Sequence, residues 1–326
     1  MSHPIRRKVL FGMAGALAMV AVSAQAQQWP SRPIKLVTQY ATGGTSDLAA
    51  RLVGEQLAKR LNTAVIVENK PGAGGRIASS QVAKSMPDGY TLLWTAAIHT
   101  TNAAFFDDLG YDTEKDFEPV VQAFALPAVL VVPASSPART AAEYVKLAKQ
   151  DPKQATVGYS GTASIPHLMA LQFIHSAGLS VSQVGYKGDV PAIQDLLGGH
   201  IPAAFVSLGT PVPHVGDGKL RVLAMTGNQH TDLLPGVPTF AEGGVDGMDG
   251  FAWFGLVAPA GTPPAIVRRL NTEINDILKN PDLLAAVGKS GATPIGGSAE
   301  EFKAFIHKDI AKWKQLAKAT NLKITP

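Results

Sequence analysis

Apolar and polar positions follow two rhythms along this 326-residue chain. Short runs rich in Val, Ile, Leu and aromatics at residues 34–37, 64–68, 90–94, 129–133, 155–159, 181–186, 203–206, 220–225 and 251–259 predict strands. Between them, apolar residues recur every three or four positions. Leu48, Leu52, Val53, Leu57 and Leu61 predict a helix over 48–61, and further helices are expected at 77–84, 144–149, 165–173, 190–197 and 265–278. A long final helix runs to about residue 318, with Phe302, Phe305, Ile306, Ile310, Trp313 and Leu316 on its apolar face. Helix starts are marked by capping boxes at Thr140 with Glu143 and at Ser298 with Glu301. Thr262 reads as an N-cap with Pro263 at the first helical position, and Gly198-Gly199 as a helix stop. Strands alternating with helices through short links predict an α/β chain with parallel sheets.

Two strand-to-helix turns stand out. Gln39-Tyr40-Ala41-Thr42-Gly43-Gly44-Thr45-Ser46-Asp47 joins the first strand to the first helix: two glycines permit a tight turn, and Thr45, Ser46 and Asp47 are capping residue types at the helix start. The first N–H groups of a helix lack intrahelical partners and sit at the positive end of its dipole, so an anion or carboxylate is a natural guest there. Ser160-Gly161-Thr162-Ala163-Ser164 repeats this arrangement before the helix at 165–173, and the two helix starts could face each other across a cleft. Ligands of open α/β sheets sit beyond the carboxyl ends of the strands, where Thr95 to Ala97 fall, which adds Thr95 and Ala96 to the expected contacts. The glycine-rich turn at 69–76 lacks both the Lys-Ser/Thr pair of a phosphate loop and the third glycine of a dinucleotide fingerprint.

Composition narrows the class. With 46% hydrophobic and 17% charged residues the chain is globular rather than disordered. Arg6-Arg7-Lys8, an apolar segment at 9–22 and Ala24-Gln25-Ala26 predict a secretory signal peptide over residues 1–26, cleaved near Ala26. Its apolar run is shorter than the roughly 20 residues of a membrane span. Lys8-Val9-Leu10 is a loose match to a twin-arginine signal, so the general export route is favoured. The formal charge of +4 partly belongs to this leader, and no basic run with interleaved aromatics follows, so nucleic acid is not an expected partner. There is no cysteine, which excludes disulfides, thiolate metal sites and thiol nucleophiles. A mature chain of roughly 300 residues exceeds one hydrophobic core and predicts two lobes.

Motifs in order along the chain complete the picture: Trp29-Pro30-Ser31-Arg32-Pro33-Ile34, Gly43-Gly44 with Asp47 and Arg51, Val67-Glu68-Asn69-Lys70-Pro71-Gly72-Ala73-Gly74-Gly75, Pro87-Asp88-Gly89-Tyr90, Tyr186-Lys187-Gly188, Asp195-Leu196-Leu197-Gly198-Gly199, Leu234-Pro235-Gly236-Val237-Pro238 and Phe254-Gly255-Leu256-Val257-Ala258-Pro259. Together they resemble the extracytoplasmic solute receptors of tripartite tricarboxylate transporters, the Bug family. The resemblance implies a two-lobed periplasmic binding protein of type II, a Venus flytrap, each lobe a mostly parallel sheet flanked by helices. Lobe 1 is expected to hold residues 27–125 plus about 226–326, and lobe 2 about 126–225. The family's binding loops fall on Tyr40 to Asp47 and Tyr159 to Ser164, and its cleft positions on Tyr186, Gly188, Ala192 and Ser207. Typical members hold a carboxylate through backbone N–H groups, hydroxyls and waters, without an arginine clamp. The expected ligand contacts are therefore Tyr40, Thr42, Gly43, Gly44, Thr45, Ser46, Asp47, Thr95, Ala96, Ser160, Gly161, Thr162, Ala163, Ser164, Tyr186, Gly188, Ala192 and Ser207. Two departures bear on the ligand: Tyr40-Ala41-Thr42 stands where many members have Phe-Pro-Pro, and Ser207 where many have an Asp that would meet an amino group. They favour mono-, di- or aromatic carboxylates over amino acids.

The resemblance implies a periplasmic monomer that uses no cofactor or metal, captures a small carboxylate and delivers it to the membrane subunits of a tripartite tricarboxylate-type transporter. A ligand sensor for a signalling partner would use the same fold and pocket. A secreted serine hydrolase built on Ser160 is the competing enzyme reading. Thr162 stands where a Gly-x-Ser-x-Gly elbow requires glycine, and His167 reads as a packing or capping residue, so an enzyme is not expected. No histidines stand at His-Glu-x-x-His or other metal spacing. Asp47 and Arg51, four residues apart on one helix, read as a structural ion pair.

Overall fold

The computed structural model describes residues 29–161, 163–228 and 230–320; the leader expected over residues 1–26 lies outside them. In chain order the elements are β1 (Ile34–Thr38), α1 (Thr45–Leu61), β2 (Val65–Asn69), α2 (Arg76–Ala83), β3 (Thr91–Ala96), α3 (Ile98–Phe105), β4 (Phe117–Pro133), α4 (Ala141–Gln150), β5 (Thr156–Ser160) and α5 (Ile165–Ser176). They continue through β6 (Ser182–Tyr186), α6 (Asp189–Leu197), β7 (Ala203–Ser207), α7 (Val212–Gly216), β8 (Leu220–Met225), β9 (Phe251–Pro259), α8 (Pro264–Ile277), α9 (Pro281–Gly288), β10 (Thr293–Pro294) and α10 (Ala299–Thr320).

Two mixed sheets share one strand. In the first, β2, β1 and β3 are parallel, and β9 and then β4 continue the sheet antiparallel. In the second, β6, β5 and β7 are parallel, and β7 and β8 both pair antiparallel with β4. β4 lies against β9 from Phe117 to Pro127 and against β7 and β8 from Ala128 onward. Periodicity predicted only its second half. The first half carries Pro119 and Pro127, residues unusual inside a strand, and both are tolerated here: Pro119 stands beside a register shift and Pro127 where the strand changes partners.

Helices cover both faces. Period-two alternation sends Leu36, Leu92 and Trp94 to the face covered by α1 and α8, and Val37 and Leu93 to the face covered by α2 and α10, while α6 and α5 cover the second sheet. Arg60 on α1 ties that helix to α8 through Glu273 and, at 2.8 Å, Asp276. Both expected capping boxes bear on helix starts: Ser298 and Glu301 bond reciprocally, while Thr140 Oγ1 accepts from Glu143 N and Glu143 reaches one residue further back to Arg139 N. Thr262 is not the cap of α8. Its hydroxyl donates to the Pro259 carbonyl at 2.7 Å, and the helix begins two residues later. Sequence reading also missed α3, a short run with two threonines and an asparagine, and α9, despite its Asn280 cap followed by Pro281.

Along the first sheet's second face, α10 lays Phe302 edge-on against Trp253, and its Asp309 accepts from Thr100 Oγ1 on α3 at 2.6 Å and from Trp253 Nε1 at 3.3 Å. Burial raises the Asp309 pKa, and these bonds act against that rise. His99, the neighbour of Thr100, is fully buried between Tyr111 and Phe117 with no hydrogen-bond partner on either ring nitrogen.

Two outcomes follow from this packing. A Cβ on Gly255, in the middle of β9, would lie 2.7 Å from the Val121 carbonyl oxygen and 2.8 Å from Phe302 Cζ. Gly255→Ala should therefore cost about 1–3 kcal/mol of stability, read as a lowered urea midpoint. Burial lowers the His99 pKa to about 3, below its unfolded value of 6.5. As pH falls through that window the unfolded chain binds a proton that the folded chain refuses, so stability drops from pH 6.5 toward 3. A pH series of denaturation midpoints should show this slope, reduced by close to one proton in His99→Phe; an unaltered slope would refute the assignment.

Candidate functional site

The first turn is shaped from behind. β1 ends at Thr38, and the buried Gln39 side chain donates to Ser79 Oγ at 2.8 Å and accepts from Thr95 Oγ1 at 2.7 Å. Thr95 is thereby used beneath the wall and does not reach the cleft. Gly43 has φ +97°, a conformation that favours glycine, and no atom lies within 4 Å of where its Cβ would be. Its N–H donates to the Asp47 carboxylate at 3.0 Å, which also accepts from Arg51 Nε at 3.0 Å and Asn69 Nδ2 at 2.7 Å. Asn69 Nδ2 in turn reaches the Tyr40 carbonyl at 2.9 Å. Burial alone would raise the Asp47 pKa; the bonds from Arg51, Asn69 and Gly43 and the Arg51 charge outweigh it and hold the carboxyl below its usual range. Asp47, expected to touch ligand, thus faces away from the cleft and braces the turn.

What the turn presents forward is backbone. α1 begins at Thr45 behind Gly44 with no side-chain cap, so Thr45, Ser46 and Asp47 are present as first-turn N–H donors rather than as the expected caps. Ser46 is 5% exposed, lies on the cleft wall, and its Oγ has no hydrogen-bond partner. A buried hydroxyl without a partner is costly unless a guest supplies one.

The second turn uses different means. Gly161 and Ala163 have φ +70° and +63°. For Ala163 this left-handed conformation costs roughly 1–2 kcal/mol. Its N–H is directed onto His167 Nδ1 at 3.0 Å, and the imidazole stacks on Tyr159 with ring centroids 4.0 Å apart. Burial lowers the His167 pKa to about 4, so near pH 7 the ring is neutral and Nδ1 can accept that bond. Ser164 caps α5: its Oγ accepts from His167 N at 3.4 Å and donates to the Ser160 carbonyl. With His167 Nδ1 engaged by Ala163, a hydrolase built on Ser160 would find no nucleophile–base pair through that nitrogen.

Both turns open onto one cleft of about 730 Å³. Of the expected residues, Tyr40, Thr42, Gly44, Thr45, Ser46, Ala96, Ala163, Ser164 and Ser207 line it. Gly43, Asp47, Thr95, Ser160 and Gly161 do not line it: Gly43 is exposed, and Asp47, Thr95 and Ser160 are buried. Thr162 lies outside the described residues. Tyr186, Gly188 and Ala192 do not line it either: the Tyr186 hydroxyl donates to Asp195 at 2.7 Å while its carbonyl accepts from Gly161 N, Gly188 precedes α6, and Ala192 is buried in the core under that helix. Asp189 explains how Ser207 is placed, accepting from Ser207 N at 3.1 Å and Thr210 Oγ1 at 3.0 Å.

Ala97, at the strand end where ligand was expected, also lines the cleft, but sequence reasoning missed the side built by Ala73, Gly74, Arg76, Ile98, Thr101, Asn102 and Phe106, with Ala252 and Phe254 of β9. α3 carries much of it, and Asn102 Nδ2 donates to the Gly74 carbonyl at 2.8 Å, joining α3 to the glycine-rich turn. The available signal was the position of that turn after β2, at the same end of the sheet as the first. Among the described residues no group of three or more His, Asp or Glu could hold a metal ion, and no helix is long and apolar enough to cross a membrane.

Comparison with known proteins gives this geometry a context. Residues 49–322 match the tripartite tricarboxylate transporter family receptor. Protein BugT of Bordetella pertussis is 30% identical over 321 residues, 98% of each chain. A solute-binding protein from Polaromonas superimposes with TM-score 0.81 at 32% identity, over 89% of this chain and 99% of that one. The R. palustris protein Rpa4515, solved with adipate, does so with TM-score 0.76 at 34% identity, over 91% and 99%. The shared architecture is the two-lobed α/β fold of periplasmic binding proteins. With a family match across most of its length and a cleft that presents helix starts in place of catalytic groups, the chain belongs to the Bug family of tripartite tricarboxylate transporter receptors, which bind substrates and are not enzymes.

Proposed function

We propose that this chain is an exported receptor, freed of its leader near Ala26, that captures a small carboxylate and passes it to the membrane subunits of a tripartite tricarboxylate-type transporter in the periplasm. The observation that carries the reading is the buried, partnerless Ser46 Oγ beside the amide end of α1, in the same cleft as the amide end of α5. A carboxylate there accepts charge-assisted bonds from N–H groups and a hydroxyl. The adipate held by the R. palustris relative supports the ligand class. No acidic residue is among the described residues lining the cleft, and Ser207 stands where an Asp would pair with an ammonium group, which favours carboxylates without an amino group.

The working cycle is closure. Residues 27–125 with about 226–326 form one lobe and about 126–225 the other. The first turn receives the carboxylate in the open form, the second turn completes the site, and the transporter recognises the closed form. A ligand drives closure only by binding the closed state better, which the Ile165 N–H at the start of α5 and the Ser207 hydroxyl provide.

Thermal unfolding of the mature protein against carboxylates, amino acids and aromatic acids tests the reading. At a hundred times its dissociation constant, a ligand adds about 2.7 kcal/mol and raises the midpoint by several degrees. A shift confined to carboxylates is expected. Silence toward all of them, after refolding to strip co-purified ligand, would overturn it. Gly43→Val forces a β-branched residue into a left-handed turn in open space. It should abolish binding while costing only about 1–2 kcal/mol of stability, and retained affinity would remove this turn from the site.

A further inference from the structure

Arg76 is the one charged side chain among the described residues lining the cleft, and nothing in the fold explains its charge. It is the first residue of α2, where the helix dipole disfavours a cation, and the first turn of that helix holds no acid. No ion pair forms to it among the described residues. Asp108 borders the outer groove beside it, yet its carboxylate accepts from Gly110 N at 3.0 Å instead. The guanidinium is nevertheless held in place: Nε donates to the Ala73 carbonyl at 2.9 Å, and the planar group lies over the Phe106 ring at 5.2 Å. Among the described residues, neither of the two Nη nitrogens has a protein acceptor. A fixed, forked donor at the wall of a closing cleft loses water on closure, and an anion restores what is lost.

The cleft therefore offers two places for negative charge, one of backbone and hydroxyl donors at α1 with Ser46, the other at Arg76, while Ala97, Ile98, Ala252 and Phe254 make much of its remaining wall apolar. We propose that Arg76 is the specificity residue that selects dianions, taking the second carboxylate of a dicarboxylate whose first carboxylate sits at the start of α1 and whose apolar spacer lies against the wall. This rests on the carboxylate-receptor reading and departs from the family expectation of a site without an arginine.

The test is calorimetric titration of the refolded, ligand-free mature protein with α,ω-dicarboxylates from succinate to suberate and with the monomethyl ester of each. The wild-type protein should prefer its best dicarboxylate over the matching half-ester by about 10- to 100-fold, the worth of one bidentate charge-assisted contact. Arg76→Gln should narrow that ratio to within about threefold, chiefly by weakening the dicarboxylate, and Arg76→Lys should restore part of it as a point charge. The melting temperature of each ligand-free variant reports whether the fold is intact. Equal weakening of both probes in Arg76→Gln, or an unchanged ratio, overturns the assignment of Arg76 and leaves the receptor reading standing. Failure of the wild-type protein to bind either class overturns both together.

Discussion

Asp47 carries its carboxylate on the blind side of the first turn, and the character of the site depends on that placement. An acid in the first turn of a helix is normally stabilised by the free amides it faces, and in doing so it consumes their positive field. Here the acid is fully engaged by Gly43, Arg51 and Asn69, and Arg51 balances its charge. The forward amides of α1 are left with their field intact, and Gly43 is locked in the left-handed conformation that brings them to the wall. Asn69 extends the brace to the end of β2 and to the Tyr40 carbonyl, so turn and sheet hold each other.

The two turns that meet in the cleft are built on opposite principles. The first is kept by a salt-bridged network around a glycine that pays no steric cost. The second keeps an alanine in a strained conformation by giving its N–H to a neutral histidine. Strain of this kind persists only where neighbours over-determine it, and the Tyr159 stack and the Ser164 cap do so here. The third wall, from α3, leans on Asp309 of α10 through Thr100, which connects the cleft to a helix whose own residues never touch it.

How much of this could be read in the chain varied with the range of the forces involved. The Gly43-Gly44 and Gly161 turns, the start of α5 at Ser164 and the box at Ser298 were legible because capping and left-handed turns are written within four residues. Asp47 looked like a ligand contact for the same reason: its type and position are those of an N-terminal acid, while the partner that turns it away, Asn69, lies 22 residues on. β4 was half visible because Pro119 and Pro127 break a strand unless a register shift or a change of partner absorbs them. α3 was hidden by β-branched and polar residues that only tertiary packing makes helical, and Thr101 and Asn102 went unseen with it. Arg76 was visible as a residue but not as a wall, since nothing local says that a glycine-rich turn opens onto the same cleft as another.

The order of strands has a consequence for when the native structure can exist. β1, β2 and β3 occupy the first third of the chain, yet their sheet is completed by β9 and covered on one face by α10, which ends at Thr320. A chain emerging residue by residue therefore cannot pair β3 with β9 until residue 259 has appeared, and cannot cover that face until α10 follows. By contrast β5, β6 and β7 can assemble on the second half of β4 as soon as residue 207 has appeared. The half that begins first is completed last, and until then the edge of β3 and the apolar face of Val37 and Leu93 stay open to whatever the chain meets during its synthesis.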